Sequence, residues 1–274
     1  MDDLAIELDG VWKIFGDRPA EIVENIRRDG LSKAEVLEKF NAVVGISDVS
    51  FQVNAGEIFC IMGLSGSGKS TLVRHINRLI EPTAGKITLL GQQILELSES
   101  QLREIRAKKV GMVFQHMALF PHRSVRDNVA YPLEIRNEPK LRRWDVSQRM
   151  LSMVGLDGFE DRFPTELSGG MQQRVGLARA LASDPDVLLM DEPFSALDPL
   201  IRRQLQDQFL DLSAQLNKTT LFITHDLDEA IRLGTRIAIM NDGKIVQIGT
   251  PEQIVTNPAD DYVRDFVKDI SKLK

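Results

Sequence analysis

The sequence has few of the features that mark secreted or membrane-spanning chains. One of its 274 residues is a cysteine, Cys60, so no disulfide can form within the chain and the cytosol is the expected compartment. The longest unbroken apolar run is Ile58–Met62, whereas a membrane-spanning helix needs about 20 apolar residues. The first residues are acidic and contain no apolar stretch, so no secretory signal is predicted.

The chain also lacks an excess of positive charge. The chain has 34 Lys and Arg against 40 Asp and Glu, a net charge of −6, which argues against a protein that coats DNA or RNA. With 43% hydrophobic and 27% charged residues, the composition is ordinary for a globular protein and wrong for a disordered one. The length is enough to bury a large core in one or two domains.

Strand and helix patterns alternate along the chain, which is typical of an α/β domain. A helix is predicted to begin at about Gly68, and another to run from a cap at Asp198 to about Leu216. The stretches with strand-like patterns are 4–15, 48–62, 86–90, 110–114, 187–190, 220–224, 236–240 and 244–248.

Two segments interrupt this alternation within a predicted single domain of residues 1–274. Residues 92–182 are rich in helix signals, including the capping-box pattern of Ser98 and Gln101, and are predicted to form a helical subdomain. Residues 17–44 are predicted to form a solvated helical hairpin. The α/β core is then expected over residues 1–91 and 183–274.

A phosphate-binding loop is predicted at residues 63–70, which fit the pattern G-x-x-x-x-G-K-[ST]. Glycines allow several backbone N–H groups to point at one anion, and the following helix adds the positive end of its dipole. Lys69 is expected to reach the β- and γ-phosphates, and the Ser70 hydroxyl to bind Mg²⁺. The residues predicted to surround the phosphates are Gly63, Ser65, Gly66, Ser67, Gly68, Lys69 and Ser70.

Such a loop needs an acid at the end of a strand, and the apolar run 187–190 leads directly to one. Asp191 is the expected Mg²⁺ ligand, and Glu192 is placed to orient or deprotonate an attacking water. By spacing alone, Glu192 could equally be a solvated carboxylate at a strand end.

The stretch Leu167-Ser-Gly-Gly-Met-Gln-Gln-Arg174, which follows the loop by a hundred residues, resembles the signature motif of ABC-type ATPases. Gln115 resembles the Q-loop glutamine of that family, Ser195–Asp198 the D-loop and His225 the switch histidine. Phe15 stands where the family has its adenine-stacking aromatic, although it could also be a core residue. The resemblance covers about residues 4–252.

The resemblance implies a P-loop ATPase core of the RecA-like type, with an antiparallel β edge subdomain and an inserted α-helical subdomain. It also implies that two ATP molecules lie between two copies of the chain in a head-to-tail dimer. Ser168, Gly169 and Gly170 of one copy then serve the ATP held by the other copy. In this scheme Thr71 touches the α-phosphate, and Asp198 relays between the two sites.

The same resemblance assigns roles in hydrolysis. The catalytic residues are Glu192, His225, Gln115 and Lys69, and the Mg²⁺ ligands are Ser70, Gln115 and Asp191. The other histidines, His75, His116 and His122, are predicted to be structural or interface residues because no acidic or cysteine companions lie at ligand spacing. Cys60 is predicted to be a buried apolar residue.

Several details resemble the ATPase subunit of glycine betaine/proline-type importers, the quaternary amine uptake group. They include the insertion between Phe15 and the loop, Met171 in the signature, and the stretch Phe194–Ile201. The best-known members carry a C-terminal pair of CBS modules, whereas this sequence stops at Lys274. The expected substrate is a compatible solute or amino-acid-like molecule such as glycine betaine, proline betaine, proline, choline or histidine.

The resemblance to importer ATPases implies further partners. Two membrane permease subunits are expected to dock near residues 115–122, where an apolar cluster follows Gln115, although this cluster could equally be local core. A solute-binding protein outside the membrane is an indirect partner, and no nucleic acid is expected. The chain is predicted to lie at the cytoplasmic face of the bacterial inner membrane. The alternative is a soluble ABC ATPase of the repair or translation type. Repair members contain an inserted coiled coil or zinc module, and translation members fuse two ATPase halves, but the sequence shows neither feature.

Overall fold

The structure is a computed structural model that describes residues 4–115, 118–195 and 197–268. The chain divides into two compact units. The first runs up to Leu97 and resumes at Ile223, and the second is Ser98–Phe222.

An antiparallel sheet forms much of the first unit. Its strand order is β2-β1-β4-β5, and the strands are β1 (Leu4–Phe15), β2 (Val43–Asn54), β4 (Ala84–Leu89) and β5 (Gln92–Gln93). Along β2, buried and less buried residues alternate over much of the strand, as expected when one face of a sheet packs against a core.

The first unit also contains the strand that leads into the phosphate-binding loop. This strand, β3 (Ile58–Met62), is buried at every residue and pairs in parallel with β9 (Arg236–Asn241). β9 pairs antiparallel with β10 (Lys244–Gly249). The two residues between them, Asp242 and Gly243, have φ angles of 47° and 76°, as a two-residue hairpin turn with both central residues at positive φ requires.

The predicted insertion is a pair of helices, α1 (Pro19–Asp29) and α2 (Lys33–Phe40). Pro19 begins α1 and Gly30 ends it with a left-handed φ of 66°. Ser32 and Glu35 form a capping box at the start of α2. The two helices pack onto the ends of β1 and β2 through a buried cluster of Trp12, Ile14, Ile22, Val23, Val36, Ala42 and Val44.

Four more helices belong to the first unit. Among the described residues they are α3 (Lys69–Ile76), α9 (Leu227–Leu233), α10 (Pro251–Thr256) and α11 (Asp261–Lys268).

In the second unit, helices pack beside the parallel pair β6 (Val110–Val113) and β7 (Val187–Asp191). The helices are α4 (Glu99–Lys108), α5 (Val125–Ile135), α6 (Lys140–Met153), α7 (Gly169–Ala182) and α8 (Pro199–Leu216), with a 3-10 turn at Pro164–Glu166. The strand β8 (Thr219–Thr224) contains the boundary between the units. The predicted α/β class is confirmed.

The units divide the chain at other positions than the predicted subdomains. The second unit includes residues 183–222, which the sequence assigned to the core, because β7 pairs with β6 and α8 packs on α7.

The strand-like stretch 48–62 is two strands separated by a turn at Gly56, whose φ is 74°. The helices α5, α9, α10 and α11 were not predicted from the sequence; α5 contains Pro132, which indicates a break. No helix in the described ranges has the length and apolarity that crossing a bilayer requires.

The inserted helices offer a test of how the hairpin is held. Val36 is completely buried in its core, whereas the adjacent Leu37 is 52% exposed. Val36→Ala removes two buried methyl groups and is expected to lower the free energy of unfolding by about 1–3 kcal/mol. Leu37→Ala, the matched control, should cost less than about 0.5 kcal/mol. Urea unfolding of both variants measures the difference, and equal losses would contradict the packing described.

Candidate functional site

The phosphate-binding loop of the first unit rests on backbone atoms from other segments. A Cβ on Gly63 would lie 2.2 Å from the carbonyl oxygen of Met240, and a Cβ on Gly68 would lie 2.7 Å from the carbonyl oxygen of Gly45. The N–H of Gly243 also donates to the carbonyl of Ser67 at 2.9 Å. Only glycine allows these approaches, so the turn after β9 and the strand β2 determine the shape of the loop.

The side chains of the loop fit a phosphate. Lys69 is buried, and its ammonium donates to the carbonyls of Gly63 at 2.7 Å and Leu64 at 3.0 Å. The Ser67 Oγ is buried, and no hydrogen-bond partner reaches it within the described part of the chain. Such a group costs free energy unless something hydrogen-bonds to it. A phosphate oxygen meets that need.

The remaining positions of the loop are open to solvent or begin the next helix. Ser65 and Gly66 are exposed at the tip, and a Cβ on Gly66 would meet no atom within 4 Å. Gly68 is the N-cap residue of α3, with a φ of 102°. Ser70 and Thr71 lie in the first turn of this helix, which confirms the predicted helix start.

Phe15 is a surface residue and not a core residue. It is the last residue of β1, and its ring is 44% exposed. The ring lies against Gly45, where a Cβ would be 2.7 Å from the Phe15 Cε2, and the Lys13 ammonium lies 5.1 Å from the ring centroid. An exposed ring held in this way is able to stack on a base.

His225 is exposed between β8 and α9. The next residue, Asp226, caps α9 by accepting the N–H of Glu229 at 3.2 Å. The histidine therefore stands where the strand ends and the helix begins.

In the second unit, the acidic pair lies where β7 ends. Asp191 is the last residue of the strand and is 2% exposed. Glu192 has a φ of 46°, a left-handed conformation that costs roughly 1–2 kcal/mol for a residue with a side chain. The Ser195 hydroxyl donates to the Glu192 carbonyl at 3.1 Å, which helps to hold this turn.

The carboxylate of Glu192 has a partner, so it is more than a solvated strand-end group. The side-chain amide of Gln115 donates to the Glu192 Oε2 at 3.3 Å. Gln115 follows β6 by two residues, and β6 runs parallel to β7. The carboxyl ends of the two strands therefore bring these side chains together.

The signature stretch begins α7. Ser168 is exposed and caps the helix by accepting the N–H of Met171 at 3.3 Å. Gly169 faces open space, whereas a Cβ on Gly170 would lie 2.7 Å from the Cγ2 of Ile201. The N–H of Ile201 donates to the Asp198 side chain at 3.1 Å. Asp198 is thus confirmed as the cap of α8, while Ala196 of the predicted D-loop lies outside the described residues.

An apolar groove also lies in the second unit, between β6 and α5. Its volume is about 460 Å³. We call it the β6–α5 groove, and its lining includes Met112, Phe114, Ala118, Phe120, Tyr131 and Ile135. The predicted docking residues Ala118 and Phe120 thus line a cavity, while His116 and Met117 lie outside the described residues.

Two buried side chains fix the segment at the edge of this groove. Arg179 donates to the carbonyl of Ala118 at 2.7 Å, and burial lowers the pKa of its guanidinium. Asn128 is completely buried and bonds both backbone groups of Phe120, at 2.8 and 3.1 Å. These anchors keep Ala118 and Phe120 at the rim of the groove.

The remaining predicted residues have structural environments. Cys60 is completely buried in β3, and burial raises the pKa of its thiol well above the usual value. His75 is completely buried with its Nδ1 2.5 Å from the carbonyl of Thr71, and burial lowers its pKa. The His122 ring lies edgewise to Phe120, with centroids 6.0 Å apart.

The sequence did not predict the two residues whose backbone carbonyls pack against the loop glycines, Gly45 and Met240. Their contacts with the loop involve backbone carbonyls, and no motif records such contacts. The one available signal was a glycine inside strand β2, which often marks a close approach of another backbone.

Gly66 and Gly68 give a matched test of this support, because both have positive φ angles and only Gly68 is crowded. Gly68→Ala adds a Cβ next to a backbone oxygen, so the loop must shift and nucleotide affinity is expected to fall at least about tenfold. Gly66→Ala introduces backbone strain without the contact and should have a clearly smaller effect. Calorimetric titration measures the affinity of both variants for ATP. Equal losses of affinity would contradict the inference that the Gly45 carbonyl fixes the loop at Gly68.

The chain is similar to known transport proteins over nearly its whole length. It is 55% identical over 271 residues to the glycine betaine transport ATP-binding protein OpuAA of Bacillus subtilis (strain 168), covering 99% of this chain and 65% of that protein. It is 52% identical over 269 residues to the glycine betaine/carnitine transport ATP-binding protein GbuA of Listeria monocytogenes, covering 98% and 68%. The chain therefore spans about two thirds of the length of these relatives.

The fold and the family agree with these matches. A solved dimeric structure of the ATP-binding cassette MJ0796, bound to ADP and Pi, superposes with a TM-score of 0.75 at 30% identity, covering 90% of this chain and 98% of that one. The predicted cassette fold is thereby confirmed. The model of the ABC transporter family matches residues 46–195. The chain therefore belongs to the ABC transporter family, as its motifs predicted.

Proposed function

We propose that the chain is the ATP-binding and ATP-hydrolysing subunit of an ABC importer. The observation that carries the proposal is the phosphate-binding loop, whose Gly63 and Gly68 lie against backbone oxygens and whose Ser67 hydroxyl is buried without a partner among the described residues. The names of the relatives support glycine betaine or a similar quaternary ammonium compound as substrate. Proline betaine, proline, choline and histidine belong to the same proposed range.

The loop binds the phosphates of ATP through its backbone N–H groups and the N-terminus of α3. Lys69 exchanges its bonds to the carbonyls of Gly63 and Leu64 for the β- and γ-phosphates. Thr71 contacts the α-phosphate, and the exposed ring of Phe15 stacks on the adenine, a contact worth about 1 kcal/mol.

Mg²⁺ is the proposed metal, and the side-chain types proposed as its ligands suit it. Ser70, Gln115 and Asp191 offer hydroxyl, amide and carboxylate oxygens, the hard ligands that this ion prefers. When bound, Mg²⁺ supplies charge neutralisation on the phosphates. Asp191, buried at the end of β7, is the only one of these three side chains with a formal negative charge.

Glu192 is the proposed general base for the attacking water. The Gln115 amide holds one carboxylate oxygen, and the left-handed turn directs the side chain away from the course of β7. His225 is proposed to position the water and the γ-phosphate. Such a base typically contributes a factor of about 10²–10⁴ to the rate.

The second half of each site is proposed to come from another copy of the chain. Ser168 begins α7 with Gly169 and Gly170 beside it, and a helix N-terminus attracts an anion. In a head-to-tail dimer these residues contact the γ-phosphate of the ATP that the partner holds, and Asp198 relays between the two sites. ATP binding closes the dimer and hydrolysis opens it, because only a ligand that favours one state can shift the equilibrium.

The β6–α5 groove is the proposed docking site for a short helix of a membrane permease subunit. Its apolar lining and the exposed Ile135, at 57%, suit an amphipathic helix. Two permease subunits then hold the ATPase at the cytoplasmic face of the bacterial inner membrane, and a solute-binding protein delivers the substrate on the opposite side. No nucleic-acid partner is proposed.

The role of Glu192 is tested by Glu192→Gln, which keeps the shape of the side chain but cannot accept a proton. ATP binding should be retained, hydrolysis should fall at least about 100-fold, and an ATP-bound dimer should accumulate. Asp186→Asn is the control, since Asp186 precedes β7 at its other end and pairs with Lys109. Steady-state hydrolysis and size-exclusion chromatography give the result. Wild-type turnover in Glu192→Gln would refute this assignment of the base.

The docking groove is tested by Ile135→Arg, which places a charge against the apolar lining. Copurification with the permease subunits is expected to fall at least about tenfold, while the isolated ATPase still binds ATP. Leu141→Arg introduces the same charge on α6, at a residue that is 84% exposed and outside the groove. Equal copurification of the two variants would place the docking surface elsewhere.

A further inference from the structure

A side chain of the last described helix, Tyr262, reaches the end of β9, which lies against the phosphate-binding loop. The helix α11 packs through the buried Val263 and Val267. The Tyr262 ring lies edgewise to Phe266, with centroids 5.0 Å apart. The phenol hydroxyl is left to make polar contacts outside α11.

The hydroxyl of Tyr262 bonds a backbone group at the end of β9. It donates to the carbonyl of Met240 at 3.4 Å. Burial raises the pKa of Tyr262, which favours the protonated phenol that this bond requires.

The Met240 carbonyl already determines the conformation of the loop. It is the oxygen against which Gly63 packs, since a Cβ there would lie 2.2 Å away. The Gly63 carbonyl in turn accepts the Lys69 ammonium at 2.7 Å. The hydroxyl therefore joins α11 to the oxygen that packs on Gly63, the residue whose carbonyl holds the phosphate-binding lysine.

We propose that Tyr262 is a positioning residue for ATP binding: its hydroxyl fixes the Met240 carbonyl against Gly63 and so keeps the first turn of the loop in its phosphate-binding shape. This inference rests on the proposed ATP binding and assigns to α11 a role that no motif of the sequence predicts.

The coupling has to be reciprocal. If docking of α11 strengthens ATP binding, then ATP must by the same factor stabilise the docked α11. A movement of α11 away from the loop withdraws the hydroxyl and weakens ATP binding. Any event that displaces this helix therefore regulates the affinity of the site.

The test compares Tyr262→Phe with Tyr262→Ala in the full chain. Phenylalanine keeps the ring contact with Phe266 and removes only the hydroxyl, so the melting temperature should stay near that of the wild type. The KM for ATP is expected to rise about three- to tenfold with little change in kcat. Alanine should lower the melting temperature as well. If the role of Tyr262 were packing alone, the KM of Tyr262→Phe for ATP would equal that of the wild type, and that result overturns the proposal.

A second measurement is hydrogen exchange of the α11 amides with and without ATP. ATP should slow exchange in the wild type, and Tyr262→Phe should abolish most of that protection. Thr256→Val is the matched control, because it removes a hydroxyl that donates to the Glu252 carbonyl at 2.8 Å within α10. It should leave both KM and protection unchanged. A wild-type chain that binds no ATP would refute the proposed function, whereas equal affinities for wild type and Tyr262→Phe refute this inference alone.

Discussion

The site depends on one steric constraint, the contact of loop glycines with backbone oxygens of other segments. Gly63 lies against the Met240 carbonyl and Gly68 against the Gly45 carbonyl, so neither position accepts a Cβ without movement of the backbone. Because those oxygens belong to β9 and β2, the loop takes its shape from the packed strands of the first unit. The buried core thus determines where the N–H groups and Lys69 are presented to a phosphate.

The second unit uses the ends of its strands and helices in a comparable way. The parallel pair β6 and β7 brings Gln115 within hydrogen-bond distance of Glu192. The caps at Ser168 and Asp198 begin α7 and α8, and Ile201 connects the two, since its side chain crowds Gly170 and its N–H reaches Asp198. In the proposed mechanism these groups act on ATP, and a second copy of the chain completes the site.

The features that the sequence predicted well depend on local signals. The caps at Ser98 and Asp198 were predicted because side chain and helix start are adjacent in the chain, and both are confirmed. The loop pattern is local as well. The contact of Met240 with the loop and that of Tyr262 with Met240 join segments far apart in sequence through a backbone carbonyl, so no pattern of residue types reveals them. The helix α5 was missed because Pro132 inside it indicates a break.

The central claim is that one ATP is held by the loop of one copy and the signature helix of another. Two single variants test it, Ser65→Cys at the exposed loop tip and Ser168→Cys at the start of the signature helix. The two are mixed and treated with a short bis-maleimide cross-linker, in the presence of ATP and in the absence of Mg²⁺ so that ATP is not hydrolysed. Cys60 is completely buried and its thiol pKa is raised, so it should stay unreactive. A mixture of the two variants is predicted to give a covalent dimer that depends on ATP. A yield that is no higher with ATP than without nucleotide would contradict the account.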